Sequence, residues 1–171
     1  MDESNFQLMP LVLKTWAVTG VTPRLNHLLN HDKLSVIGSV DSNGRVLYCE
    51  HFGNITSQEI KEFLKLLKHK YQGEKLLVIW DGAPVHRSKE VRSFLQEQDD
   101  GQLWLEQLPA YAPELNPQEY IWSWLKRHLA NRSCKALWEV KEVVKEAIQQ
   151  LRYLPELVKR IINGSPIMTF Q

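Results

Sequence analysis

Apolar residues in this chain recur at two spacings, and each change of spacing marks a boundary between elements. Residues 34–40 (LSVIGSV) and 45–52 (RVLYCEHF) are apolar runs of strand length, joined by Asp41-Ser42-Asn43-Gly44. Asn-Gly tolerates positive φ, so this pair reads as a hairpin. Residues 2–8 (DESNFQL) show a partial strand-like alternation. Further on the period lengthens: Ile60, Phe63, Leu64, Leu67 and Tyr71 fall on one helical face, with Thr56 and Glu59 forming a capping box and Gly73 closing the helix. Residues 75–80 form a buried strand, Ser88 caps a short helix bearing Val91, Phe94 and Leu95, and residues 103–108 form another strand. A helix runs from Pro117 to about Ala130, with Ile121, Trp124, Leu125 and His128 on one side. Leu137, Val140, Val144, Ile148 and Leu151 mark a long amphipathic helix, and 155–163 a short last one. The order is strand, hairpin, helix, strand, helix, strand, helix, then extra helices. A mixed sheet flanked by helices is expected, because a hairpin ahead of the first long helix disfavours a purely parallel, doubly wound sheet.

Composition narrows this picture. A chain of 171 residues, 43% hydrophobic, can bury one substantial core, so one domain is expected, without repeats or a dividing linker. Its core covers about residues 2–130 and a C-terminal helical extension about 136–164. No apolar run approaches the eighteen or so residues of a membrane span, and the first residues lack a basic-then-apolar leader pattern. The implied location is the cytoplasm. Cys49 and Cys134 form neither a CxxC pair nor a dense framework, and read as ordinary thiols.

The candidate chemistry lies in three carboxylates. Asp81 ends the apolar run KLLVIW, and Glu119 is placed on the first turn of a helix by Asn116-Pro117, an N-cap followed by proline at the first helical position. Asp2 opens the first strand. Each has an ordinary explanation as well. Asp before Gly82 suits a turn, Glu119 could be the return half of a capping box, and residues beside a terminus are commonly poorly ordered. Carboxylates on two strands and a helix are nonetheless what a site for two divalent cations needs. Two such groups about 4 Å apart repel by roughly 4 kcal/mol at an effective dielectric of 20, a penalty that cations remove. Oxygen ligands suit hard ions such as Mg2+ or Mn2+.

DESNF at the start, WAVTGVTP after it, IWDGAPVHRSK in the middle and LPAYAPELNPQEYIWSWLK downstream together resemble the catalytic domain of the insertion-sequence branch of the Tc/mariner transposase superfamily, which carries a DDE-type endonuclease. The resemblance covers roughly residues 2–130, and the last block is its most specific part. It departs modestly, with Gly82 where the family commonly has Asn. The resemblance implies a ribonuclease H-like fold, which the order of elements matches, with the first and fourth strands side by side so that Asp2 and Asp81 meet. It places the metal-binding and catalytic acids on Asp2, Asp81 and Glu119. It also implies a cut at a transposon end that leaves a 3′-hydroxyl, then attack of that hydroxyl on target DNA, with no covalent enzyme intermediate. DNA is the implied partner and a homodimer the implied active form. Family members usually carry an N-terminal helix-turn-helix before the first Asp, and here only Met1 precedes it, so that domain is expected to be absent.

Further candidates follow from position. Glu3, His86 and Asn116 lie beside the acids and could orient them from behind. Lys126, Arg127, Arg132 and Lys135 follow Glu119, where a phosphate backbone would pass. Trp16 could stack on an unpaired base, although a buried Trp is the commoner case. Trp122 and Trp124 cannot both face the core from one helix. Net charge is only +1, with pI near 7.8, short of a strongly basic nucleic-acid module. Two alternatives stay open: a structure-specific nuclease of the same fold, and an inactive remnant serving as a DNA-binding or dimerisation domain.

Overall fold

The computed structural model describes residues 1–25, 31–97 and 101–169. Strands β1 (Asp2–Gln7), β2 (Lys33–Val40) and β3 (Val46–Phe52) form an antiparallel sheet in that order. The turn between β2 and β3 is the anticipated one. Asp41 Oδ1 accepts from the backbone N–H groups of Asn43 and Arg45, and Gly44 takes φ +78°, a conformation that suits a residue without Cβ. Strand β4 (Leu76–Trp80) pairs in parallel with β5 (Leu103–Gln107). The helices are α1 (Ser57–Lys70), α2 (Lys89–Glu97), α3 (Pro117–Leu129), α4 (Leu137–Tyr153) and α5 (Pro155–Ile162). The capping box of α1 is formed: Thr56 and Glu59 satisfy each other's backbone N–H groups. Among the described residues no helix is long and apolar enough to cross a membrane.

Alternation along the strands sends side chains to two cores. Phe6, Leu34, Val36 and Tyr48 pack with Trp122, Leu125, Val144 and Ile148 of α3 and α4. Ile37, from the opposite face of β2, joins Phe63, Leu64, Val78, Trp80 and Phe94 on the side of α1 and α2. Helices therefore cover both faces, as expected of this fold class.

The sheet is less continuous than expected. The hydrogen-bonded strand order is β1-β2-β3 and, separately, β4-β5, and the two parts are joined where the Met1 amine donates to Ile79 O at 2.8 Å. The reason is one of overlap. Met1 meets β4 near the end of that strand, which stops at Trp80, so β1 runs on past β4 rather than along it.

Candidate active site

The end of β4, the start of β1 and the first turn of α3 meet at one place. Asp2 is 6% exposed. Its Oδ2 accepts from Trp122 Nε1 at 3.0 Å and its Oδ1 from the Glu3 N–H at 2.8 Å. Burial and the nearby charge of Glu119 nevertheless push its carboxyl up to about 7, outweighing those two hydrogen bonds. Trp122 reaches Asp2 because Gly38, directly opposite Asp2 in β2, leaves room for it. A Cβ on Gly38 would lie 2.2 Å from the Tyr48 ring and 2.8 Å from that of Trp122.

Asp81 follows β4 directly. Its Oδ1 accepts from the Ala83 N–H at 3.0 Å and meets His86 Nδ1 at 2.9 Å, and the bond to His86 is the main reason its carboxyl is held below the usual range. His86 is 3% exposed and stacked on Trp80, with ring centroids 4.4 Å apart and planes within 4°. Its Nε2 lies 2.9 Å from Glu3 Oε1. Burial opposes charge on the imidazole, but the bonds to Asp81 and Glu3 prevail and push His86 up to about 10. The two ring nitrogens of His86 thus face one carboxylate each, an arrangement that favours the charged imidazole.

Glu119 is the third residue of α3. Asn116, buried, caps that helix by accepting from the Gln118 N–H at 3.1 Å, and Pro117 occupies the first position. Glu119 itself is exposed, and among the described residues its side chain makes no capping bond, so the capping-box explanation does not apply. Asp81, Arg87, Tyr111, Asn116 and Glu119 line one cleft of about 390 Å³. Tyr111 has φ 59° and is fully exposed on the rim. Among the described residues no three His, Cys, Asp or Glu side chains are grouped tightly enough to hold a metal ion together.

Residues 1–141 match the sequence model of the DDE superfamily endonuclease, and the chain belongs to that family. Its fold is similar to those of Mos1 mariner transposase structures. In the paired-end complex with Mg the TM-score is 0.71 at 20% identity, covering 98% of this chain and 51% of that one. For a pre-cleavage Mos1 transpososome the values are 0.66 and 18%, covering 95% and 54%, and for the isolated Mos1 catalytic domain 0.54 and 18%, covering 83% and 79%. The chain therefore spans about half the length of the full transposase chains it matches. No curated protein matches it. The DDE-type endonuclease family and the ribonuclease H-like fold read from the sequence stand.

Of the residues singled out beforehand, the structure brings Glu3, His86 and Asp81 into one bonded group and puts Asn116 in the wall of the cleft. Lys126, Arg127, Arg132 and Lys135 do not line that cleft. Lys126 and Arg132 border a separate cavity of about 530 Å³ against Leu11 and Val12. Trp16, for which burial was the commoner expectation, is 99% exposed in the irregular segment after β1. Trp122 is buried and Trp124 half-buried beside His128. Sequence reasoning missed three contributors. Arg87 lines the cleft, Trp122 holds Asp2, and Trp80 stacks on His86. Arg87 was within reach, since it follows His86 in the same turn. Trp80 reads as part of a buried strand and Trp122 falls outside the side of the helix that carries Ile121, Trp124 and Leu125, and only the fold shows which polar atoms their rings meet.

Proposed function

We propose that this chain is the catalytic domain of a transposase, a metal-dependent DNA endonuclease and strand transferase that cuts a transposon end and joins the freed 3′-hydroxyl to target DNA. What supports this most directly is the cleft shared by Asp81 and Glu119, with Asp2 near enough to Glu119 for that charge to raise its proton affinity. The donor set fits hard divalent cations: all three groups are carboxylates, and Asp2 holds its proton up to about 7 partly because a negative neighbour is uncompensated. Asp2, Asp81 and Glu119 would hold Mg2+ or Mn2+, which when bound supply activation of the attacking oxygen and stabilisation of the leaving one.

The chain's own residues prepare that site. His86 would favour the ionised form of Asp81 and tether Glu3, while the Trp122 indole would hold the orientation of Asp2. Arg87 and the N-terminal end of α3 bring positive potential to the cleft, which favours a phosphate. Lys126, Arg127, Arg132 and Lys135 would follow the DNA beyond the cleft, and a second copy of the chain would complete the active assembly.

The test is nicking of supercoiled plasmid in Mg2+ or Mn2+. Wild type should nick, Asp2→Asn, Asp81→Asn and Glu119→Gln should not, and Glu114→Gln, on the exposed turn before α3, should behave as wild type. Joining of a pre-cleaved end separates a transposase from a structure-specific nuclease. The lack of any tight group of three metal-ligand side chains among the described residues favours a second reading, an inactive remnant that binds DNA or dimerises. Wild-type protein that never nicks, yet still binds DNA, would establish that reading instead.

A further inference from the structure

Asp2, Gly38 and Tyr48 stand opposite one another across β1, β2 and β3, so their side chains share one face of the sheet. Helix α3 packs over β1 and β2 on that face. Gln118 and Trp122, one turn apart on α3, point the same way and both end on Tyr48. Gln118 Nε2 donates to the Tyr48 hydroxyl at 3.1 Å, and the Tyr48 ring meets that of Trp122 edge-on, with centroids 5.6 Å apart. Tyr48 is buried, and burial pushes its phenol well above the usual range, so it meets Gln118 as a neutral hydroxyl. Stability does not explain this polar pair. Gln118 is 0% exposed, and its Oε1 is a buried acceptor without a donor among the described residues. Leaving such an acceptor unmet costs stability, whereas an apolar pair of the same shape would not. Departures from the most stable local choice concentrate at functional sites. What this one fixes is the rotation of α3. Successive helical residues lie about 100° apart around the axis, so a Gln118 held inward on β3 turns Glu119 outward, to the cleft it shares with Asp81.

We propose that Tyr48 and Gln118 are positioning residues for the metal site: through them β3 sets the rotation of the first turn of α3, and with it the place of Glu119 relative to Asp2. The same tyrosine steadies the Trp122 indole that donates to Asp2. Neither Tyr48 nor Gln118 lines the cleft, and each acts through a neighbour that holds or carries a carboxylate. The inference rests on the metal-dependent nuclease reading and names what aligns that site from behind.

The experiment compares wild type with Tyr48→Phe, Gln118→Leu and the double variant, which keeps the shape of the contact without its polar atoms. Three quantities are measured: the melting temperature without metal, the Mn2+ concentration that gives half of the metal-induced rise in melting temperature, and nicking of supercoiled plasmid at saturating Mn2+. The double variant should melt within about 2 °C of wild type or above it. Its Mn2+ midpoint should nevertheless rise about tenfold, the loss typical of a group that orients a metal ligand, and nicking should fall about tenfold. Each single variant should melt below the double one, because it leaves one buried polar group alone. A double variant with the wild-type Mn2+ midpoint and nicking rate would overturn the proposal. So would losses that merely follow melting temperature across all three variants, which would make the contact packing alone. If wild type gains stability from Mn2+ but never nicks, the nuclease reading fails while the Mn2+ midpoints still decide this one. If it gains none, both fall.

Discussion

Asp2 and His86 both make the folded chain prefer protons, in adjoining windows of pH. For Asp2 the carboxyl rises from an ordinary 3.8 to about 7, so the native state binds more protons than the unfolded chain between those values and stability falls as pH rises through them. Three units correspond to about 4 kcal/mol lost by neutral pH. His86 rises from 6.5 to about 10, and its contribution is complete below 6.5 and lost as pH climbs to 10. Melting curves from pH 4 to 10 should therefore show a continuous decline, with Asp2→Asn flattening the part below 7 and His86→Gln the part above 6.5. A wild-type profile that is flat between 4 and 7 would show that Asp2 is not under strain from burial and Glu119. Glu119→Gln belongs to the same pair. Its side chain caps nothing among the described residues, so the melting temperature at pH 8 without metal should stay level or rise slightly as repulsion of Asp2 is relieved. What it should lose is the added stability that Mg2+ gives, since a ligand bound only by the native state must raise its stability. If Mg2+ raises the melting temperature of Glu119→Gln as much as that of wild type, Glu119 holds no cation.

Three elements meet at Gly38, and one methyl group there should disturb them together. Gly38→Ala puts Cβ into the rings of Tyr48 and Trp122, so β3 and α3 must separate from β2. Overpacking of this kind costs about 1–3 kcal/mol, a drop of roughly 2–10 °C for a chain of this size, with Trp122 drawn away from Asp2. Asn116→Ala acts at the N-terminus of the same helix, less than two turns before Trp122. Losing a buried cap costs about 0.5–2 kcal/mol and frees the turn that carries Glu119, so nicking should fall by more than stability alone explains. Calorimetry with plasmid nicking on the same samples checks both. The elements themselves were legible because their signals are local: Thr56 with Glu59, Asn43-Gly44, Asn116-Pro117, and the apolar spacing of α1 and α4 all describe structure within a few residues. What escaped was set across the chain. Nothing near Trp122 announces that its indole faces a carboxylate 120 residues earlier, nor does His86 reveal that Glu3 shares its proton. The expected side-by-side run of β1 and β4 failed in detail for a related reason: periodicity locates strands but not how far they slide past each other.

Charge over the whole molecule decides how it should meet DNA. Residues 1–59 hold four Lys/Arg and six Asp/Glu, leaving 21 − 4 = 17 against 20 − 6 = 14 for the remainder, so the positive surplus of +3 lies in the part that carries Asp81, Arg87, Glu119 and the basic end of α3. Such a modest surplus supplies phosphate contacts and little else, and base readout needs an element seated in a groove. The chain alone should therefore bind duplex DNA weakly and without sequence preference, with log K falling against log salt at a slope of about −2.7 to −4.5, the value for roughly three to five phosphate contacts. Arg87→Ala should make that slope shallower by about one unit, because Arg87 lines the cleft where the scissile phosphate would sit. Lys135→Ala tests the alternative path, past the start of α4, and should do the same only if DNA continues beyond α3. Fluorescence anisotropy across a salt series measures all three. Tight binding to one sequence at moderate salt, or a slope untouched by Arg87→Ala, would show that DNA does not enter by the cleft between Asp81 and Glu119, and the proposed reaction would lose its substrate path.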